Sequence, residues 1–213
     1  VEESAGRIQP PKRWGEARFA NIGMGYGFTA TSLQLLQAAA VVASGGVQVQ
    51  PQLLQAVRSP TFSSANAREI SYGKALGPAS PLWGWQRPSG YPQPLKRVLK
   101  ETTARQVAQM MFAVAQKGSG KKAQIEGAWV AGKTGTAEKV NPQTGRYDKK
   151  RNRSSFVGMA SASGCFANPT CSQIVAIVTV DEPQGAAYGG VVAAPVWRDI
   201  TQAALVHILQ QGD

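Results

Sequence analysis

At 213 residues, with 43% hydrophobic and 16% charged content, the chain has the makeup of one ordinary globular domain with a substantial core, and the disordered class is excluded. A formal charge of +11, from 23 Lys and Arg against 12 Asp and Glu, suits an anionic partner without choosing one; no ladder of stacking aromatics lies between the basic residues, so nucleic acid is not the expected partner. No apolar run reaches the roughly 18–20 residues of a spanning helix, and the acidic, polar start Val1-Glu2-Glu3-Ser4 is no signal peptide, so any targeting segment is expected upstream.

Residues 1–28 are rich in Gly, Pro and charge and read as an irregular approach. Thr31-Ser-Leu-Gln34 then has the form of a capping box, with Gln34 able to reach back to the cap. Leu33, Leu36, Gln37 and Ala40 follow helical spacing, and Gly45-Gly46 ends that helix. Residues 47–57 read as a short extended pair or strand around Pro51. Residues 58–100 form an irregular, proline-rich insertion, in which Trp83 and Trp85 suggest packing against the body.

A second helix is predicted from Thr102-Thr103, with Gln106 in the capping-box position and a buried stripe of Val107, Met110, Met111 and Val114. Its methionines are read as core filling, and Gly118 and Gly120 end it. Three strands follow, over 128–140, 155–160 and 174–180. Asn141-Pro-Gln-Thr-Gly145 is turn chemistry between the first two, and connections this short, without a helix, predict antiparallel neighbours. The last helix is expected to open near Pro195 and to bury Trp197, Ile200, Ala204 and Ile208. His207 on that helix reads as structural or exposed. The basic runs at 149–153 and Lys121-Lys122 are most simply solvated loops.

Cys165 and Cys171 are the only cysteines, and with one histidine they fall short of the ligands a zinc site needs. The Asn-Pro turn between them could bring their Cα atoms within disulfide range. A disulfide is expected, with two free thiols as the alternative; it would point to an oxidising compartment such as the periplasm.

Gly127-Ala-Trp-Val-Ala-Gly132-Lys133-Thr134 satisfies the phosphate-loop pattern, and Asp181-Glu182 at the end of an apolar strand resembles a magnesium-holding partner. A phosphate loop, however, follows a buried strand and feeds a helix. Here the preceding Lys121-Lys-Ala-Gln-Ile-Glu126 is a poor buried strand, Trp129-Val130-Ala131 are strand formers, and a Pro142 and Gly145 turn follows. An ATPase is therefore the weaker rival. As a strand edge the same residues make better sense: Thr134 and Thr136 share one face, and the small Gly135 admits another backbone. Two hydroxyls, the Lys133 ammonium and edge N–H groups form a receptor for a carboxylate and an acyl oxyanion.

Ala131-Gly-Lys133-Thr134-Gly135-Thr136-Ala137 resembles the Lys-Thr-Gly strand of the penicillin-binding and serine β-lactamase superfamily. Gly25-Tyr26-Gly27-Phe28-Thr29 through Leu33-Gln34-Leu35 and Gly45-Gly46 are similar to the segment preceding it in class B penicillin-binding proteins. Ser155-Phe-Val-Gly158, Asp181-Glu-Pro183, Tyr188-Gly-Gly190 and Ala194-Pro-Val196 resemble the elements after it. The ordered set covers nearly the whole chain outside 58–100 and looks most like the septal, cell-division type.

The resemblance implies an α/β (α+β) transpeptidase fold, an antiparallel sheet flanked by helices, of which 1–213 is the C-terminal portion. It implies a peptidoglycan D,D-transpeptidase acting through an acyl-serine, with a lysine as base, needing no metal or other cofactor. Lys133 would supply positive potential, Thr134, Gly135 and Thr136 would bind the carboxylate of a D-Ala-D-Ala stem peptide or a β-lactam, and the Thr136 N–H would be an oxyanion donor. Tyr188 would wall the site or simply pack. Implied partners are the N-terminal portion of the same enzyme and division proteins, with the whole anchored in the inner membrane facing the periplasm.

The family's Ser-x-x-Lys and Ser-x-Asn motifs lie well before the Gly25-Tyr26-Gly27 segment. Ser71-x-x-Lys74, Ser119-x-x-Lys122 and Ser64-x-Asn66 come after it and read as chance matches, Ser119 lying between two glycines. The nucleophile is therefore expected outside this sequence. A β-lactamase or β-lactam sensor would share Lys-Thr-Gly but should lack the Tyr188-Gly-Gly and Ala194-Pro-Val endings.

Overall fold

In the computed structural model, which describes residues 6–49, 57–58, 85–86, 96–162 and 173–211, the Thr31 box closes as expected. The Thr31 hydroxyl accepts from the Gln34 N–H (3.1 Å) and the Gln34 side chain accepts from the Thr31 N–H (2.9 Å), opening helix α2, Ser32–Ala43. Gly45 and Gly46 then turn the chain at φ +67° and +97°, the left-handed region that suits glycine. Upstream, the irregular approach contains a helix that the sequence reading did not predict, α1, Glu16–Gly23, after a 3₁₀ turn at Pro11–Arg13. It buries no residue, so no apolar stripe announced it.

The expected pair around residue 51 lies partly outside the described residues. What is described is a bridge from Val47 to Arg97 and two short antiparallel strands, β1 (Val57–Arg58) and β2 (Trp85–Gln86). Helix α3, Glu101–Lys117, starts slightly before the predicted Thr102, and its N-cap, Lys100, makes no side-chain capping bond. Its opening turn instead carries Glu101, paired with Arg105 one turn on at 2.7 Å. The buried positions are Ala104, Ala108 and Ala115, whereas Met110 is 63% exposed and fills no core. Small side chains sit where the helix backbone approaches the sheet, and the predicted Val107 and Met111 pack against the core beside them, so of the stripe it is Met110 that misses the contact face.

The three predicted strands form one antiparallel sheet in the order β3-β4-β5: Ala128–Val140, Tyr147–Ala162 and Gln173–Asp181. The predicted Asn141 turn joins β3 to β4, with Asn141 Oδ1 accepting from the Gln143 and Thr144 N–H groups and Gly145 at φ +66°. Strand β4 is far longer than predicted because the basic run joins it rather than forming a loop. Two of its charges, Arg151 and Arg153, are paired with Glu182 and Asp181 across the sheet.

Alternation along the strands sets the layers. Val130, Phe156 and Ala160 face helix α4 (Gly189–Gln211), while Ala131 and Met159 face α2 and α3 through Val42, Ala43 and Ala108. Helix α4 starts at Gly189, so Pro195 lies inside it rather than opening it. Its buried line is Ala194, Trp197, Thr201 and Leu205; Ile200 is 56% exposed and Ile208 also faces solvent, against expectation. The helix is apolar on several sides, so spacing alone offered two phases, and packing against Phe156 selected one.

At the far end of the sheet Lys139 Nζ reaches Asp181 (2.8 Å) and Glu182 (2.6 Å), Arg151 binds Glu182 (2.7 Å) and Arg153 binds Asp181 (3.1 Å). Hydrogen bonds from Lys139 and then Arg153 hold the Asp181 carboxyl below its ordinary range; those from Arg151 and then Lys139 do the same to Glu182. With folded values depressed, their stabilisation is present above the ordinary carboxylate pKa and lost as pH falls through the depressed values. The melting temperature should therefore fall below about pH 4, and Asp181→Asn with Glu182→Gln should flatten that fall. Because these groups are exposed, molar salt should shrink the difference; an equally steep fall in the double variant would count against the network.

Candidate active site

Strand β3 is the edge of its sheet among the described residues, and it carries Lys133-Thr134-Gly135-Thr136 near its middle. The alternation that points Phe156 at α4 points its cross-strand partner Thr134, and then Thr136, to the same face. Lys133 belongs to the other face, where its Nζ donates to the Thr134 carbonyl oxygen (2.8 Å). The first turn of α4 lies against the strand: a Cβ on Gly189 would fall on the carbonyl oxygens of Gly135 and Ser155. The Gly189 N–H donates to Thr136 Oγ1 at 3.1 Å. Only glycine permits that approach, which accounts for the Gly189-Gly190 pair.

These elements enclose a cavity of about 330 Å³ lined by Thr134 and Thr136 of β3, Tyr188 with the first turn of α4, and Ser119, Lys121 and Lys122 of the α3–β3 connection. Three hydroxyl-bearing residues and two lysines share this lining with Gly189, Gly190 and Val191, and a tyrosine that is 73% exposed stands at its rim. Hydroxyl donors and lysines converging on one cleft suit an anion, and a carboxylate has the acceptor sites to use them. Of the residues expected at the site, Thr134, Thr136 and Tyr188 meet in this cavity, while Lys133 and Gly135 lie beside it.

Ser119 was set aside in the sequence as a chance match, yet its Oγ stands 2.7 Å from Thr134 Oγ1 inside the cavity. Lys121 and Lys122 are exposed, as expected of a charge run, but they too line the site. The Ser-x-x-Lys spacing touches Ser119 and Lys122, but as a nucleophile pattern rather than as part of this cavity, and nothing in the spacing points to Lys121. The single hint was Gly-Ser-Gly after a helix, a sequence able to turn tightly and present its serine. Ser119 occupies a turn past the C-terminus of α3, not the start of an α-helix. Ser64, Asn66, Ser71 and Lys74, and both Cys165 and Cys171, lie outside the described residues.

The phosphate-loop alternative fails on geometry. Gly127 leads directly into a continuous strand running from Ala128 to Val140, with no helix behind Thr134 to hold a phosphate. Asp181 and Glu182 are engaged by Lys139, Arg151 and Arg153.

Comparison with known proteins agrees with this geometry. The family model described as "Penicillin binding protein transpeptidase domain" matches residues 1–202. The chain is 30% identical over 207 residues to the penicillin-binding protein PbpB of Mycolicibacterium smegmatis, covering 93% of this chain and 27% of that protein. It is 32% identical over 207 residues to the peptidoglycan D,D-transpeptidase FtsI of Escherichia coli, covering 96% and 28%. Among solved structures it resembles penicillin-binding protein 3 of Mycobacterium tuberculosis complexed with aztreonam, with a TM-score of 0.70 and 29% identity over 96% of this chain and 41% of that one. The chain thus spans about a quarter of the length of these curated relatives. A match that runs through almost every described element, from α1 into α4, places the chain in the transpeptidase-domain family of the class B penicillin-binding proteins.

Proposed function

We propose that this chain forms the Lys-Thr-Gly side of the active site of a serine-type peptidoglycan D,D-transpeptidase. The observation that carries the reading is the pair of hydroxyls, Thr134 and Thr136, on one face of an edge strand above a cavity with Lys121 and Lys122. In this reading the two hydroxyls and the lysines hold the terminal carboxylate of a D-Ala-D-Ala stem peptide. The Thr136 N–H receives the oxyanion as the acyl carbonyl is attacked; one such donor is worth roughly 10²–10³ in rate. Lys133 adds positive potential and contacts the residues around the serine. Tyr188 covers the rim, and its exposure leaves it free to meet a ligand.

A β-lactam presents the same carboxylate and a strained acyl group, so it acylates the same serine. The ampicillin complex of the similar mycobacterial protein, whose ligand carries such a carboxylate, supports β-lactam binding here. The serine belongs to residues outside 1–213, in the N-terminal portion of the same enzyme. The whole protein works in the periplasm, held to the inner membrane, in septal wall synthesis with division proteins as partners. That setting rests on the motif pattern shared with the cell-division type. A β-lactamase is the second reading, disfavoured by the Tyr188-Gly-Gly and Ala194-Pro-Val sequences.

The test is peptide mapping by mass spectrometry of the whole enzyme after incubation with penicillin. A stable adduct of one penicillin mass on a serine outside this chain is expected. An adduct on Ser119 or any other serine of residues 1–213 would overturn the assignment of the nucleophile, and rapid turnover of the drug would favour the β-lactamase.

A further inference from the structure

We infer that Ser119 is a positioning residue that, together with the Gly189 amide, aims the two threonine hydroxyls at a ligand carboxylate; the inference rests on the proposed transpeptidase reading. The Thr136 hydroxyl accepts the Gly189 N–H, which occupies its oxygen and leaves its hydrogen to point elsewhere. The Thr134 hydroxyl has the Ser119 hydroxyl at 2.7 Å, where either group can donate. An anion in the cavity needs donors, so it selects the arrangement in which Ser119 donates to Thr134 and the Thr134 hydrogen turns to the ligand. Chained hydroxyls polarise one another, making each terminal donor stronger. Both threonines then meet the carboxylate as oriented donors, with no rotor left to be ordered on binding.

The serine is fixed well enough to do this. The N–H groups of Gly118 and Gly120 on either side of it both donate to the Val114 carbonyl, at 3.0 and 3.1 Å. A Cβ on Gly190 would fall on the Ser119 carbonyl oxygen, so the start of α4 presses the turn from the other side. A Cβ on Gly120 would crowd Phe156 and the Val114 carbonyl. The turn is clamped between α3, the sheet and α4, which a serine serving only as a surface residue would not require.

The test uses the whole enzyme and measures the acylation rate constant with benzylpenicillin and with its methyl ester, which lacks the carboxylate charge. Ser119→Ala should slow acylation by benzylpenicillin about threefold to tenfold, the worth of one neutral hydrogen bond. It should leave the slower reaction of the ester unchanged, and Ser119→Thr should restore the first rate. An unchanged rate with benzylpenicillin, or an equal loss with both compounds, overturns the positioning role while leaving the transpeptidase reading standing. Complete loss of acylation with the adduct mapped to Ser119 in the unmodified enzyme overturns it as well, making Ser119 the nucleophile. Failure of the unmodified enzyme to react with penicillin at all removes the functional reading and this inference with it.

Discussion

Trp197→Ala is expected to lower the folding stability by about 3–5 kcal/mol, the range for truncating a fully buried aromatic. Trp197 is completely buried on α4 and meets Phe156 edge to face at a centroid distance of 5.1 Å. Its indole N–H donates to the Ala176 carbonyl oxygen at 3.0 Å, tying α4 to β5 while its ring covers β4. The core cluster it belongs to is rich in alanines (Ala115, Ala123, Ala160, Ala193 and Ala194), whose short side chains cannot collapse into the space left behind. Chemical denaturation should show a lower midpoint with an unchanged slope. A loss under about 1 kcal/mol would mean that α4 is not the main cover of this face, since a Trp cavity that size requires a much larger cost.

The second large effect is on chemistry. Thr136→Val, which keeps the β-branched shape favoured in a strand and replaces the hydroxyl with a methyl group, should slow acylation of the whole enzyme by penicillin roughly 10- to 150-fold. That range is the rate equivalent of about 1.5–3 kcal/mol, the worth of a hydrogen bond to a charged acceptor. The variant also leaves the Gly189 N–H without its acceptor, which favours the upper part of the range. Thr136→Ser keeps the oxygen and should stay near the unmodified rate. If Thr136→Val reacts as fast as the unmodified enzyme, the carboxylate does not sit on this face of β3, and the assignment of the cavity fails.

The same cavity ties stability to function through its glycines. Gly189 and Gly190 bring the start of α4 against Gly135 and the Ser119 turn, so the element that carries Trp197 also sets the amide that orients Thr136. Damage to the core beneath α4 should therefore reach the hydroxyl pair, although the two are governed by different contacts.

The sequence by itself determined the parts whose signals are local. Thr31 and Gln34 specify a cap because a hydroxyl and an amide three residues apart can satisfy each other's backbone N–H. The β3–β4 turn follows from Asn141 and Gly145, and the antiparallel order follows from connections too short for a crossover. Thr134 and Thr136 share a face because strand residues alternate, so half of the donor set was legible from spacing alone.

Tertiary structure alone decided the rest. Which stripe of α4 is buried depended on where Phe156 waited, because Ile200 and Thr201 offer equally regular helical phases. Met110 was left in solvent because the rotation of α3 that buries Ala104, Ala108 and Ala115 and packs Val107 and Met111 on the core turns Met110 away from it. The charged run at 149–153 became strand because Asp181 and Glu182, distant in sequence, stand opposite to neutralise Arg151 and Arg153. Ser119 entered the site for the same kind of reason: three elements remote along the chain clamp its turn against Thr134, and no one-dimensional pattern records a contact that exists only when they pack.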